Sequence, residues 1–440
     1  MASKPQLSRR GTVPSGMLGS AGVPSSTAPS VVAASMNLTK NLIGAGIFSL
    51  PSALLAGSVL PGLAAMIVVG SLCGSSFVLI AFLCQKLNCQ TYRDVWCVAF
   101  GKRTAFFVDS CILTNGFFAC VAYTILVADF LQKALDGLAG WQVQRSPLIL
   151  VITVVFMLPL SHAKDLTALR YTSMMGLAII ASVFCYVVSD CLGHFEASTV
   201  NWQANAVRLD MGIFKTVAIS TSAFQAHYNA PRIFGQLNYD LGAHARTVVA
   251  SFGTAFLVYA SFAVAGLGLF GDALMGNVLR NYNAKGNTAI LLSWFGMAFA
   301  IIFTYPLVFT AARDSLVGSQ VVLQRVLRAN PVGGHIGITS SLVTLISLVA
   351  CNITDVSSVT GMLGAIVGSC LCWIVPGAIY LKVAYGGGGP TGDLEKPLLE
   401  NGKALISLKA DPRLAGFCCF LIVVGAASMF EGIRSVLLKV

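Results

Sequence analysis

The chain has 440 residues, of which 56% are hydrophobic and only 10% charged, with a mean hydropathy of +0.79 and a net charge of +11. A water-soluble protein carries about 25% charged residues, so this composition excludes a soluble globular domain and points to an all-α polytopic membrane protein. The five histidines are scattered, no cysteines stand in a metal-type CxxC spacing, and HExxH, GxSxG and P-loop signatures are missing, so the chain reads as a non-enzyme without a resident metal or organic cofactor.

In chain order, residues 1–30 are rich in Ser, Pro and Gly and read as a disordered tail. Eleven apolar spans follow, at 31–56, 59–84, 104–135, 146–163, 166–190, 211–235, 246–271, 286–311, 334–353, 356–382 and 413–438. A cytosolic N-terminus puts 19 of the 28 cations on the inner side and 8 on the outer side, with Lys40 inside the first span. That asymmetry is the positive-inside pattern. The basic excess therefore reports orientation rather than nucleic-acid binding, and the odd span count places the C-terminus outside, in a lumen or the extracellular space. Plasma membrane and vacuolar-type endomembrane are equally compatible with it. Thirteen cysteines fall almost all within spans or on one side, which favours buried free thiols over disulfides. The Gly-rich stretch that opens residues 383–412 reads as an inner linker before the last span.

Two spans contain their own breakers. The first reads TKNLIGAGIFSLP, with Gly44, Gly46 and Pro51 inside an apolar run. The sixth reads FKTVAISTSAFQAHYNAPRIFGQL, with a polar middle followed by Pro231. Unwound backbone at membrane depth survives only where protein or a polar cavity surrounds it. The breaks lie five spans apart, an odd number, so the halves 31–190 and 211–382, separated by an outer loop at 191–210, have opposite orientation. Paired broken helices in inverted halves point to a secondary transporter. Amide groups at the start of the second half-helix, near Gly46, Ile47 and Phe48, can hold a carboxylate. Freed carbonyls near Ile43, and at Ser222, Ala223 and Phe224, can hold an ammonium. Ile43, Gly44, Ala45, Gly46, Ile47, Phe48, Ser222, Ala223, Phe224, His227 and Tyr123 are thus the candidate substrate-binding residues, in a site with two poles that suits an α-amino acid. Gly361, Gly364 and Gly368 in the tenth span read instead as close helix packing.

NLIGAGIFSLP resembles the span-1 motif of the amino acid/auxin permease family, and AFQAHYNAPRIFGQL its span-6 segment. TYRDVWCVAFG (91–101) is similar to its loop between spans 2 and 3, and CVAYTILVADFL (120–131) to its span 3. The resemblance covers residues 31–438, and the nearest-looking members are the vacuolar-type and neutral amino acid transporters. It implies the LeuT-type fold of the APC superfamily, a 5+5 inverted repeat with broken helices 1 and 6 and an eleventh helix. It also implies amino acid transport coupled to H+ or Na+. Sodium-coupled members often have asparagine where this chain has Lys40, paired with a span-8 threonine that Thr304 matches. Proton-coupled members are closer at Lys40.

Lys40, Thr304 and His227 are accordingly the ion-coupling candidates. A lysine in a span either changes protonation during transport, snorkels to the headgroups, or ties span 1 to span 8. His227 titrates near neutral pH or packs inside the helix bundle. Asp109 and Asp129, near opposite ends of span 3, are expected to pair with Arg or Lys. The functional expectation is a monomeric, proton-driven transporter of neutral L-amino acids. The alternative is an amino acid sensor of the same fold that binds without concentrative uptake.

Overall fold

The computed structural model describes residues 30–163, 169–194, 202, 206–208, 211–283, 287–385 and 410–437. The expected tail, most of the 191–210 loop and most of the 383–412 linker lie outside them. The described residues are helical nearly throughout. Ser30 starts α1 (Val31–Leu42), its hydroxyl accepting from the Ala33 N–H at 3.2 Å. A 3-10 turn at Ala45–Ser49 leads into α2 (Leu50–Gly57), whose second residue is Pro51. Then come α3 (Val59–Leu87), the short α4 (Tyr92–Phe100), α5 (Ala105–Ala139), α6 (Arg145–His162) and α7 (Leu169–Gly193). The second half holds α8 (Gly212–Ala223), α9 (Ala230–Gln236), α10 (Leu241–Phe270), α11 (Thr288–Ser319), α12 (Val321–Ala329), α13 (Pro331–Asn352), α14 (Val356–Tyr385) and α15 (Pro412–Leu437).

Among the described residues, nine helices are each long and apolar enough to cross a membrane, and α1 with α2 forms a tenth passage bent by 52°. The expected span at 211–235 is the pair α8 and α9. Its polar centre keeps it short of that hydropathy, and it does not need it. α8 is walled by α2, α3, α14 and α15, so protein rather than lipid surrounds its break.

Glycine sets the closeness of those walls. A Cβ added at Gly364 of α14 would stand 1.7 Å from the Ala218 carbonyl oxygen of α8, and one at Gly368 would stand 2.7 Å from Thr221 Cγ2. Gly116 of α5 meets Ala312 of α11 in the same manner, at 2.6 Å. Gly364 meets backbone, while Gly368 and Gly116 meet the methyl groups of Thr221 and Ala312, and hydrogen at Cα makes room for each approach. The packing role expected for Gly364 and Gly368 is the one they have.

The TYRDVWCVAFG stretch is α4 with its caps. Thr91 accepts from the Asp94 N–H. Buried Tyr92 donates its hydroxyl to the Leu371 carbonyl of α14 at 2.7 Å, and the Arg93 guanidinium meets both Asp109 oxygens on α5 at 3.0 Å. Near the other end of α5, Asp129 is buried. Arg145 approaches it at 3.8 Å and Arg280 at 3.9 Å, while the Asn277 amide donates to it at 3.4 Å. Both aspartates thus find the arginines expected for them.

Two outcomes follow from this packing. Gly364→Ala is expected to lower thermal stability through overpacking, by about 1–3 kcal/mol, read as a reduced melting temperature in detergent. Asp129→Asn leaves two arginines facing a neutral amide and is expected to cost about 3–5 kcal/mol. The same melt measures it, and Asp129→Glu should recover part of the loss.

Candidate functional site

The two breaks meet face to face. α1 closes with the Ile43 N–H donating to the Thr39 carbonyl at 2.8 Å. Gly44 is then extended, at φ −124° and ψ −162°, and the Ile47 N–H donates to its carbonyl at 3.2 Å. Gly46 is the second residue of that 3-10 turn, at its N-terminal end. Opposite, α8 ends at Ala223, and residues 224–226 link it to a second 3-10 turn at His227–Asn229 and then α9, with Pro231 in its first turn. A Cβ placed on Gly46 would lie 3.8 Å from Ala223 Cα, which measures how near the two unwound segments are.

Gly44 and Gly46 differ from the packing glycines. A Cβ at Gly44 would meet only the Leu42 carbonyl oxygen, at 3.9 Å, and both positions would make ordinary van der Waals contacts. Neither glycine is required by the protein's own packing.

The freed carbonyls are partly engaged. Tyr259 of α10, fully buried, reaches both breaks. Its hydroxyl contacts the Leu42 carbonyl of α1 and, at 3.0 Å, the Ala223 carbonyl of α8. The Ser222 carbonyl accepts from the Gln225 N–H at 3.4 Å. Ile43 and Ser222 are half-buried and border the breaks, whereas Phe224 is fully buried with its ring against Tyr259 and Phe252. Ile47 is buried too, and Phe48 packs edge-on against Phe130 and Phe262 as an apolar floor. Tyr123 of α5 is half-buried and lies close enough to Tyr228 of the second break to interact with it electrostatically. Ser220 Oγ, the Gln225 amide and His227 Nδ1 are buried with no protein hydrogen-bond partner.

The ion-coupling candidates lie on three elements: Lys40 on α1, Thr304 on α11 and His227 on the second 3-10 turn. The fully buried His227 turns to α3, where its Nε2 lies 2.8 Å from Ser76 Oγ and 3.1 Å from the Cys73 carbonyl oxygen. Phe77 packs edge-on against its ring and stacks on His244. This is a clamped histidine, with only Nδ1 left over. Lys40 sits half-buried in the last turn of α1. Thr304 returns its hydroxyl to Ala300 of its own helix at 2.8 Å. α1 packs chiefly on α10, while α11 packs along α5 and α7. Tyr259 is the residue that sequence reasoning passed over. Its signal is a lone tyrosine in the apolar run FLVYASF, because a buried tyrosine hydroxyl seeks a partner.

The chain is similar to transporters along its length. It is 25% identical to vacuolar amino acid transporter 2 of Saccharomyces cerevisiae over 78% of this chain and 74% of that protein. It is 24% identical to sodium-coupled neutral amino acid transporter 7 of Mus musculus, over 82% and 81%. Among solved structures it aligns with MhsT in complex with L-phenylalanine at a TM-score of 0.54 and 13% identity, over 93% of this chain and 99% of that one. The nucleobase–cation-symport-1 family transporter Mhp1, closed on bromovinylhydantoin, aligns at 0.54 and 14%, over 94% and 91%. Likeness at that level establishes the LeuT-type fold. The transmembrane amino acid transporter protein family matches residues 27–396, and the chain belongs to that family.

Proposed function

We propose that this chain is a secondary active transporter of neutral L-amino acids, driven by protons, that alternates access to a site between its two breaks. The observation that carries the reading is the pair of glycines with open Cα faces at the point where the two breaks meet. A glycine that neither packing nor backbone conformation requires leaves backbone bare for a ligand to approach. The N–H groups near Gly46, at the positive end of the 3-10 turn and α2, receive the substrate carboxylate. Carbonyls of Ile43 and Phe224 receive the ammonium, and Tyr123 with Phe48 borders the side chain. Ser220, Gln225 and His227 Nδ1 carry polar capacity that the protein leaves unmet, which costs about 1–3 kcal/mol per group unless a ligand or water meets it. No charged side chain is among these candidates, which favours neutral amino acids.

Lys40 is the proton-coupling candidate in this reading. A cation in the last turn of α1 discourages sodium at that end of the break, and a lysine can release its proton when desolvated. The cation asymmetry supports a cytosolic N-terminus.

Purified protein in liposomes, with a mixture of radiolabelled amino acids outside and an imposed pH gradient, tests the proposal. Uptake without sodium is expected, and none with any amino acid under either gradient overturns it. Lys40→Ala is expected to abolish pH-driven accumulation while leaving substrate exchange measurable, and full accumulation by that variant removes Lys40 from the coupling role. Gly44→Ala and Gly46→Ala are expected to fold with an unchanged melting temperature yet lose about tenfold or more in uptake, the reverse of Gly364→Ala. Retained uptake in both variants moves the substrate elsewhere.

A further inference from the structure

We propose that the Tyr259 hydroxyl is the tie between the two breaks, a positioning group that holds α1 against α8 in this conformation and is released when α1 moves. The idea rests on the transport reading for its purpose, but its geometry stands alone. A helix that stops inside a membrane leaves carbonyls without N–H partners. Leu42 closes α1 and Ala223 closes α8, and the carbonyl of each is met by the same phenol. The donor comes from a third helix, α10, and no water reaches it, since Tyr259 is fully buried. Its ring is held by Phe224, edge-on at 5.2 Å, so the hydroxyl cannot swing freely.

A hydroxyl carries one proton. With two acceptors on different half-helices it either divides that proton or passes it from one to the other. Displacing α1 relative to α8 therefore breaks one bond and leaves the other fully formed. The bond to Ala223 then stays, and the Leu42 carbonyl must find a new partner. Other contacts of α1 include an Asn37–Gln236 amide contact at 3.3 Å and a Ser251 hydroxyl donating to the Ser35 carbonyl at 3.1 Å. The tie also decides which carbonyls a substrate finds. Those of Leu42 and Ala223 each have one lone pair engaged by the hydroxyl, so a substrate ammonium or a coupling cation finds them weaker acceptors than a bare carbonyl. Burial of a tyrosine does not produce such a bridge automatically. Tyr305 of α11 is equally buried, and its hydroxyl has no partner.

The test is Tyr259→Phe in the full chain, which removes one oxygen and keeps the ring, with Tyr305→Phe as the control. Two readouts are taken: amide hydrogen exchange of residues 31–42 in lipid nanodiscs, and uptake in liposomes. Tyr259→Phe is expected to speed exchange in 31–42 by about tenfold, the worth of one buried hydrogen bond. It is expected to lower the maximal uptake rate by a similar factor while changing the half-saturating substrate concentration less than about threefold. Tyr305→Phe should change neither. A residue that served packing alone would leave exchange and uptake as in the parent, and that result overturns the proposal. If the parent transports no amino acid, the transport reading fails. The exchange experiment still decides the tie, because it needs no substrate. Should Tyr259→Phe prove unstable, 3-fluorotyrosine at position 259 offers a stronger donor. It should slow exchange in 31–42, and unchanged or faster exchange counts against the tie.

Discussion

Inside a hydrocarbon layer, each backbone N–H and C=O must find its partner within the protein. That constraint organises the interior of this molecule. Breaking two helices creates orphans, and several are met by local devices. A 3-10 turn takes the Gly44 carbonyl, a turn at Gln225 takes that of Ser222, and a phenol from a third helix takes those of Leu42 and Ala223. The surrounding helices are then obliged to come close enough to exclude lipid. Glycines at 364, 368 and 116 make that approach sterically possible.

Glycine therefore does two opposite things in this chain. On α14 and α5 it removes volume so that the neighbouring helix can come close. In the first break a Cβ would meet only ordinary van der Waals contacts. Sequence spacing does not separate the two uses, since GAG in span 1 and GMLGAIVG in span 10 are both small-residue patterns in apolar runs. The separation comes from what stands opposite each Cα.

The helices, the breaks and the two aspartate pairings were legible because each rests on a local signal. Apolar length marks a span, Gly and Pro mark a break, and a charge in an apolar run demands a counter-charge. Side-chain direction beyond a break was not legible. His227 follows an irregular turn, so helical periodicity no longer says which way it points, and it points to Ser76 on α3. Thr304 matches a family position, and its hydroxyl donates its proton to Ala300 of its own helix while its oxygen lone pairs stay available. Tyr259 was missed for a related reason. Its partners are backbone oxygens 217 and 36 residues away in the chain, and no pattern of residue types records a carbonyl.

The eleven-residue stretch from Thr91 to Gly101 has a mechanical consequence. Tyr92 grips a main-chain oxygen of α14 and Arg93 grips a carboxylate of α5, so one short helix clips together two long ones that belong to different halves of the chain. α1 leans chiefly on α10. The clip couples the halves directly: α5 and α14 cannot separate at this end without giving up both a buried hydrogen bond and an ion pair.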